Sequence, residues 1–193
     1  VENIHDERGT IVGAKHRQDG RLIEYGGIGT MSKSKNNGVD PQALIEQQGA
    51  DTARLFVMFT SPPEQTLEWS DSGIDGSMRF IKRVWSQAYS QRETIQHHFK
   101  AGQTPDWKLA SDQVKQLRFD MHTLLKQADY DYERMQYNTV VSACMKMLNT
   151  IESAKLEHDP LRCAVITESL SILLRVLYPV VPHLTWTLWN DLG

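Results

Sequence analysis

The sequence predicts a mainly α-helical chain that carries a short β-hairpin and a polar loop near its N-terminal end. Apolar residues recur every three or four positions from about residue 75 to the end, which is the period of a helix. Two short β-prone runs, 10–14 and 21–25, flank the turn signal Asp19-Gly20. Residues 30–38 contain almost no apolar side chain, which is typical of a loop.

The composition is that of a globular protein. Of the 193 residues, 40% are hydrophobic and 23% are charged, which argues against disorder. The net charge of −3 excludes a uniformly basic nucleic-acid coat but not a local basic face. No apolar run approaches the roughly 18 residues of a membrane span, and no signal segment is recognisable, so we expect no membrane partner. Cys144 and Cys163 cannot form a disulfide framework, and a reducing compartment fits better.

Helix signals divide the rest of the chain. Asp40-Pro41 is typical of a helix start and Gly49 of a helix end, and a second helix is expected over 51–60. Further helices are expected around 78–88, 114–128, 140–151, 166–177 and 183–192, with a linker over 100–110. The segment 166–177 is apolar on nearly all sides, which places it at the centre of a bundle. The predicted domains are residues 1–40, 41–74 and 75–193.

A basic segment directly follows an acidic one. Residues 41–75 carry one basic and six acidic side chains, whereas residues 76–100 carry five basic and one acidic. Arg79, Lys82 and Arg83 are three and four positions apart, so they share one face of a helix. Such a face suits the phosphate backbone of RNA, and a merely solvated helix surface is the alternative.

Residues 30–41, with the sequence TMSKSKNNGVDP, form the most informative segment. It combines the ammonium groups of Lys33 and Lys35 with hydroxyl groups, and it leads into a helix N-terminus. Lysine offers a point charge to phosphate, and hydroxyl and backbone N–H groups offer hydrogen bonds. On residue types alone, an ordinary solvated loop is the commoner interpretation.

The order of these residues resembles the Lys-Met-Ser-Lys-Ser signature of class I aminoacyl-tRNA synthetases. Its continuation to Pro41 is similar to the leucyl-tRNA synthetase version of the bacterial type. Other strings similar to that family are 49–56, 61–70, 79–85, 137–140 and 178–189. The resemblance implies a core remnant with the catalytic loop over 1–40, a stem-contact α connector over 41–74, and an anticodon-binding-type helical bundle that docks tRNA over 75–193.

The resemblance also implies an activity for the full-length enzyme, which would be a cytoplasmic aminoacyl-tRNA ligase. Such an enzyme activates leucine with ATP (and Mg²⁺), releases pyrophosphate, and passes the leucyl group to tRNA-Leu. Lys33 matches the second lysine of the signature and would be catalytic, because its charge would stabilise the pyrophosphate side of the transition state.

The same resemblance assigns the binding residues. Those expected at ATP are five consecutive positions: Met31, Ser32, Lys33, Ser34 and Lys35. Those expected at the tRNA backbone are Arg79, Lys82 and Arg83. No metal site is expected, because the seven histidines show no pairing at metal-ligand spacing.

Two departures from the family pattern limit these expectations. Thr30 stands where the signature has its first lysine, and a hydroxyl cannot replace a long cationic side chain. Either Lys35 or a residue of another segment of the enzyme compensates, or this first lysine is less needed here. The family's His-x-Gly-His motif is absent from the sequence. We therefore expect a fragment that is inactive alone, with most of the leucine pocket outside it.

Two other functions stay open. One is a stand-alone helical RNA-binding module without catalysis, which would have no need for Lys33 in this order. The other is a fragment of a valyl- or isoleucyl-type class I synthetase, although the strings 35–38 and 63–69 favour leucine. The five tryptophans could stack on bases, but packing in the core or at helix junctions is the expected role of such large aromatic residues.

Overall fold

A computed structural model of the chain describes residues 2–8, 11–23, 29–35, 37–102, 104–156 and 158–193. The chain forms two compact units, residues 1–40 and residues 41–193. The described part of the first unit contains a small antiparallel sheet, and that of the second consists of helices and connecting turns. The predicted mainly α fold class is therefore confirmed.

The sheet of the first unit has three strands in the order β1 (Glu2–His5), β2 (Ile11–Lys15) and β3 (Leu22–Ile23). The predicted hairpin joins β2 to β3, and Gly20 in its turn has a φ of +70°, which favours glycine. Positions 10, 24 and 25 of the predicted strands lie outside the described residues. Strand β1 lies outside the two β-prone runs named above, and it adds a third strand to the hairpin by pairing antiparallel with β2.

The described residues of the second unit form eight α-helices, and each predicted helix is among them. They are α1 (Pro41–Gln48), α2 (Ala50–Thr60), α3 (Asp71–Ser90), α4 (Arg92–Ala101), α5 (Asp112–Glu133), α6 (Tyr137–Ser153), α7 (Arg162–Leu177) and α8 (Pro182–Leu192). The predicted linker contains the end of α4 and a 3₁₀ turn at Trp107–Leu109. In the described parts of the chain, no helix is long and apolar enough to cross a bilayer.

Helix α3 begins earlier than its apolar pattern indicated. The hydroxyl of Ser70 accepts the backbone N–H of Gly73 at 3.2 Å, which caps the helix N-terminus. A Cβ atom on Gly73 would lie 2.7 Å from the ring of Phe56, so only glycine allows α2 and α3 to approach this closely. The Phe56 ring also packs edge-on against Trp69, with 5.2 Å between ring centroids.

Helix α7 lies at the centre of the bundle, as predicted. It contacts α4, α5, α6 and α8 and buries ten of its residues. Leu170, Leu173 and Leu177 are almost completely excluded from solvent. Burying one such side chain contributes about 1.5–3 kcal/mol, so α7 provides much of the core's hydrophobic stabilisation.

The two cysteines differ in their surroundings. Cys144 on α6 is completely buried among apolar residues, and this burial raises the pKa of its thiol to about 12. Cys163 at the start of α7 is only half-buried, and both thiols are free. Cys144 is thus the small core residue that its helical position predicts.

Three of the five tryptophans are more exposed than a role in core packing implies. Trp69 and Trp107 are half-buried against other side chains. The exposed members are Trp85, Trp186 and Trp189, with 38%, 63% and 48% of their surface exposed. These three lie on outward parts of α3 and α8, where the helical period does not distinguish a core position from the edge of the apolar face.

Asp51 joins α2 to the N-terminus of α8. Its Oδ2 accepts the backbone N–H of Leu184 at 2.7 Å, and its Oδ1 accepts that of His183 at 3.4 Å. Arg54 donates to the same carboxylate, and its Nε donates to the carbonyl of Val180 at 3.3 Å. Because the N-cap residue Val181 has no side chain that could cap α8, Asp51 performs this role from a distant position.

A bidentate ion pair between Arg118 and Glu168 joins α5 to α7. Nε and Nη2 of Arg118 donate to the two carboxylate oxygens of Glu168 at 2.7 and 2.9 Å. The guanidinium carbon lies 3.9 Å from the ring centroid of Trp107. Burial raises the pKa of Glu168, but hydrogen bonds and charge from Arg118 and His122 lower it more, so the net pKa is below the ordinary glutamate value.

Replacing Asp51 by alanine should lower the free energy of unfolding by about 2–3 kcal/mol, since the cap is lost and Arg54 loses its carboxylate partner. Asp51→Asn keeps an oxygen acceptor for the cap and should cost less, about 1 kcal/mol. Urea unfolding followed by circular dichroism measures both values. The control, Asp75→Ala, removes an exposed carboxylate and should change stability by less than about 0.5 kcal/mol. Equal losses for Asp51→Ala and the control would contradict the capping role.

The lowered pKa of Glu168 predicts a pH dependence of stability. The ion pair stabilises the fold fully above the ordinary glutamate pKa of about 4.3, and this contribution is lost as the pH falls through the lower pKa of the folded chain. Glu168→Gln removes this titration, so its urea midpoint should fall less steeply with acidification. Arg118→Gln removes a cause of the lowered pKa of Glu168. Its urea midpoint should therefore also fall less steeply over the same pH range. Identical acid profiles for the three chains would show that the pair does not contribute.

Candidate functional site

The described residues of the 30–40 loop form a hydrogen-bonded turn. A single 3₁₀ turn at Lys33–Lys35 follows Ser32. The hydroxyl of Ser32 accepts the N–H of Lys35 at 3.3 Å and lies 3.2 Å from the hydroxyl of Ser34. The described residues of the loop are polar, as predicted, and they have a defined local structure.

Asn37 closes this loop with both ends of its side-chain amide. Its Oδ1 accepts the backbone N–H of Ser32 at 2.8 Å, and its Nδ2 donates to the carbonyl of Thr30 at 3.3 Å. The sequence analysis gave Asn37 no role. The available signal was the residue type, because an asparagine amide can replace backbone partners in turns.

The five predicted ATP-binding residues follow one another around this turn. The side chains of Lys33 and Lys35 are exposed and make no ion pair with any residue that the structure describes. Met31 is 45% exposed, whereas Ser32 is half-buried. Residues 32–35 therefore present two ammonium groups and two hydroxyl groups at four consecutive positions. This is a donor set for phosphate oxygens.

The same donor set does not suit a metal ion. Residues 30–39 contain no carboxylate, histidine or cysteine. Across the described residues, no group of three such side chains is close enough to hold a metal.

Arg79, Lys82 and Arg83 lie together on the exposed face of α3. The buried face of the helix is formed by Ile74, Ser77, Phe80, Val84 and Ala88. Arg83 also has partners on α6: its Nη2 donates to Asn149 Oδ1 at 2.7 Å and to Glu152 Oε2 at 2.5 Å. Arg79 and Lys82 make no ion pair with the described residues, so they are the freer of the three cations.

Two family profiles match the sequence. The one described as "tRNA synthetases class I (I, L, M and V)" matches residues 27–70, which include the loop. The one described as "Anticodon-binding domain of tRNA ligase" matches residues 115–193, from α5 to α8. The order of the two matches along the chain is that of the catalytic loop and the bundle in the predicted family.

Individual relatives narrow the family further. The chain is 62% identical over all 193 residues to "Leucine--tRNA ligase" of Bordetella pertussis and 55% identical over 193 residues to that of Leptothrix cholodnii. The chain corresponds to a segment of leucine–tRNA ligases. It spans 22% and 21% of the length of these two relatives. The alternatives, an independent binding module and a valyl- or isoleucyl-type fragment, do not account for this similarity better.

Solved structures show the same fold. LeuRS from Agrobacterium radiobacter K84, in a ternary complex with tRNA and LeuAMS, matches with a TM-score of 0.74 at 22% identity. That match covers 84% of this chain and 20% of the other. The apo methionyl-tRNA synthetase of Mycobacterium tuberculosis matches with a TM-score of 0.62 at 19% identity, over 79% of this chain and 34% of that one.

The structure brings together two strings that carry the likeness to leucine–tRNA ligases. Residues 49–56 contain Asp51 and Arg54, and residues 178–183 contain their hydrogen-bonding partners at Val180 and His183. The side chains of the first string bind backbone groups of the second. Their role in this chain is to hold α2 against α8.

Proposed function

We propose that this chain supplies the ATP-phosphate loop and the tRNA-docking helical domain of a leucine–tRNA ligase. The observation that carries the proposal is the turn closed by Asn37, which exposes Lys33, Ser34 and Lys35 in the signature order. The 62% identity to a leucine–tRNA ligase over the whole chain supports leucine as the amino acid that the enzyme activates. Since the chain spans about a fifth of such relatives, the other catalytic parts belong to the rest of the enzyme.

In the proposed reaction, the carboxylate of leucine attacks the α-phosphate of ATP, and pyrophosphate leaves. Lys33 places its positive charge where negative charge builds up on the leaving pyrophosphate, which lowers the barrier. Ser32 and Ser34 donate hydrogen bonds to phosphate oxygens. The leucyl group then passes from the adenylate to the 3′ end of tRNA-Leu.

Other residues of the loop support Lys33. Lys35 provides the second ammonium group, and we assign it the charge that Thr30 cannot supply in place of the first signature lysine. Met31 shapes the loop beside ATP. Asn37 fixes the position of Ser32 through the hydrogen bond to its backbone N–H. The loop is thereby prearranged for phosphate, which limits the reorganisation needed during the reaction.

Mg²⁺, leucine and the cellular compartment complete the proposed function. Mg²⁺ enters with ATP, and leucine binds mostly to residues outside this chain. The enzyme works in the cytoplasm, where tRNA is charged. The chain alone does not activate leucine, because the His-x-Gly-His motif is not in its sequence.

The role of Lys33 can be tested in a chimaera in which this chain replaces the matching segment of the Bordetella pertussis enzyme. Lys33→Ala should slow leucine-dependent ATP–pyrophosphate exchange by about a hundredfold or more, as expected when a transition-state contact is lost. Lys126→Ala, which removes an exposed lysine of α5, is the matched control and should leave the rate unchanged. An unchanged rate for Lys33→Ala would remove this residue from the mechanism.

Docking of tRNA by the basic face predicts a steep salt dependence. In a titration of the 193-residue chain with tRNA, Arg79→Ala and Lys82→Ala should each weaken binding and each reduce the slope of log K against log salt by about 1. Arg83→Ala should have a smaller effect, because Glu152 already pairs with this arginine. The control Lys155→Ala removes an exposed charge outside this face. Equal losses for Lys82→Ala and Lys155→Ala would argue against a specific docking face.

A further inference from the structure

An exposed pair of aromatic rings lies on α3 next to the basic face. Trp85 and Tyr89 are 38% and 48% exposed, and their rings are nearly parallel, at 11° with centroids 6.0 Å apart. The guanidinium carbon of Arg92 lies 5.7 Å from the centroid of the Tyr89 ring. The rings are therefore arranged against each other and against a cation while remaining open to solvent.

The helical period joins this pair to the predicted RNA-contacting cations. Arg79, Lys82, Trp85 and Tyr89 follow one another at steps of three or four residues, so they form a continuous surface strip. Arg92, at the start of α4, extends the strip beyond the end of α3. We call these five residues the aromatic–basic strip.

RNA is the partner whose chemistry this strip matches. Its phosphates are complementary to a segment, residues 76–100, that has five basic side chains and one acidic. Its bases have flat faces that stack on aromatic rings with little dependence on base identity, and a guanidinium beside the ring adds a cation–π contribution. A protein partner would need an apolar surround, but the exposed neighbours of the rings include Ser86 and Ser90.

We propose that the aromatic–basic strip binds an unpaired RNA base by stacking it against the Trp85–Tyr89 pair, with Arg79 and Lys82 at the flanking phosphates. This inference rests on the proposed function, in which the helical domain docks tRNA. It adds a contact to a base, which the sequence analysis did not predict for this domain. A fully paired duplex offers phosphates but no unpaired base, so the two types of contact are separable.

The test measures binding of the 193-residue chain to an RNA hairpin with an unpaired loop and to a blunt RNA duplex with the same stem. Trp85→Leu and Tyr89→Leu should each weaken hairpin binding about fivefold or more, with the salt slope unchanged, and should leave duplex binding unchanged. Lys82→Ala should weaken binding to both RNAs. Trp85→Phe and Tyr89→Phe keep an aromatic ring and should retain most of the hairpin affinity.

The matched control is Tyr130→Leu, because Tyr130 on α5 is 52% exposed and has Arg134 at 5.1 Å from its ring centroid. Circular dichroism melting confirms that each variant is folded. If the leucine variants bind the hairpin normally while Lys82→Ala does not, base stacking is overturned and tRNA docking stands. If Tyr130→Leu weakens binding equally, stacking at the strip is also overturned. If the unmodified chain binds neither RNA at low salt, both the inference and the docking proposal fail.

Discussion

The carboxylate of Asp51 is the contact on which the arrangement of the second unit depends. It is only 11% exposed, and it accepts backbone N–H groups of α8, a helix that begins 131 residues later in the chain. A nearly buried carboxylate is costly without compensation, and Arg54 provides that compensation while also satisfying the carbonyl of Val180. Asp51, Arg54 and the backbone at the start of α8 therefore stabilise one another. These contacts hold α2 in the helical bundle.

Local patterns predicted most elements of this fold, but not α4 or β1 as separate elements. Apolar spacing located the helices, Pro41 marked the start of α1, and the continuous apolar character of residues 166–177 placed α7 at the centre. The same patterns did not predict which elements meet. Nothing near Asp51 in the sequence identifies a partner 133 positions away, and nothing near Glu168 identifies one 50 positions away. Such pairs arise only when helices pack.

The candidate site shows the same division between local order and tertiary contact. Lys33 was identified because its neighbours occur in a recognisable order. Asn37 was not given a role, because its hydrogen bonds to Thr30 and Ser32 appear only when the chain turns back on itself. Trp85 was expected to be packed, because both the buried face and the edge of a helix can carry apolar residues at the same period. In each case, the residue type was informative, but its partner was determined by the three-dimensional structure.

Because Cys144 is buried, the reactivity of its thiol reports how often the helical bundle opens. Thiol reagents attack the thiolate, and a thiol with a pKa of about 12 is almost entirely protonated at neutral pH. The reagents also cannot reach the sulfur while α6 is packed against α5 and α7. Alkylation of Cys144 therefore requires these helices to separate, and its rate under native conditions follows how often the bundle opens. Cys163, half-buried at the start of α7, reports instead on the periphery of the same bundle.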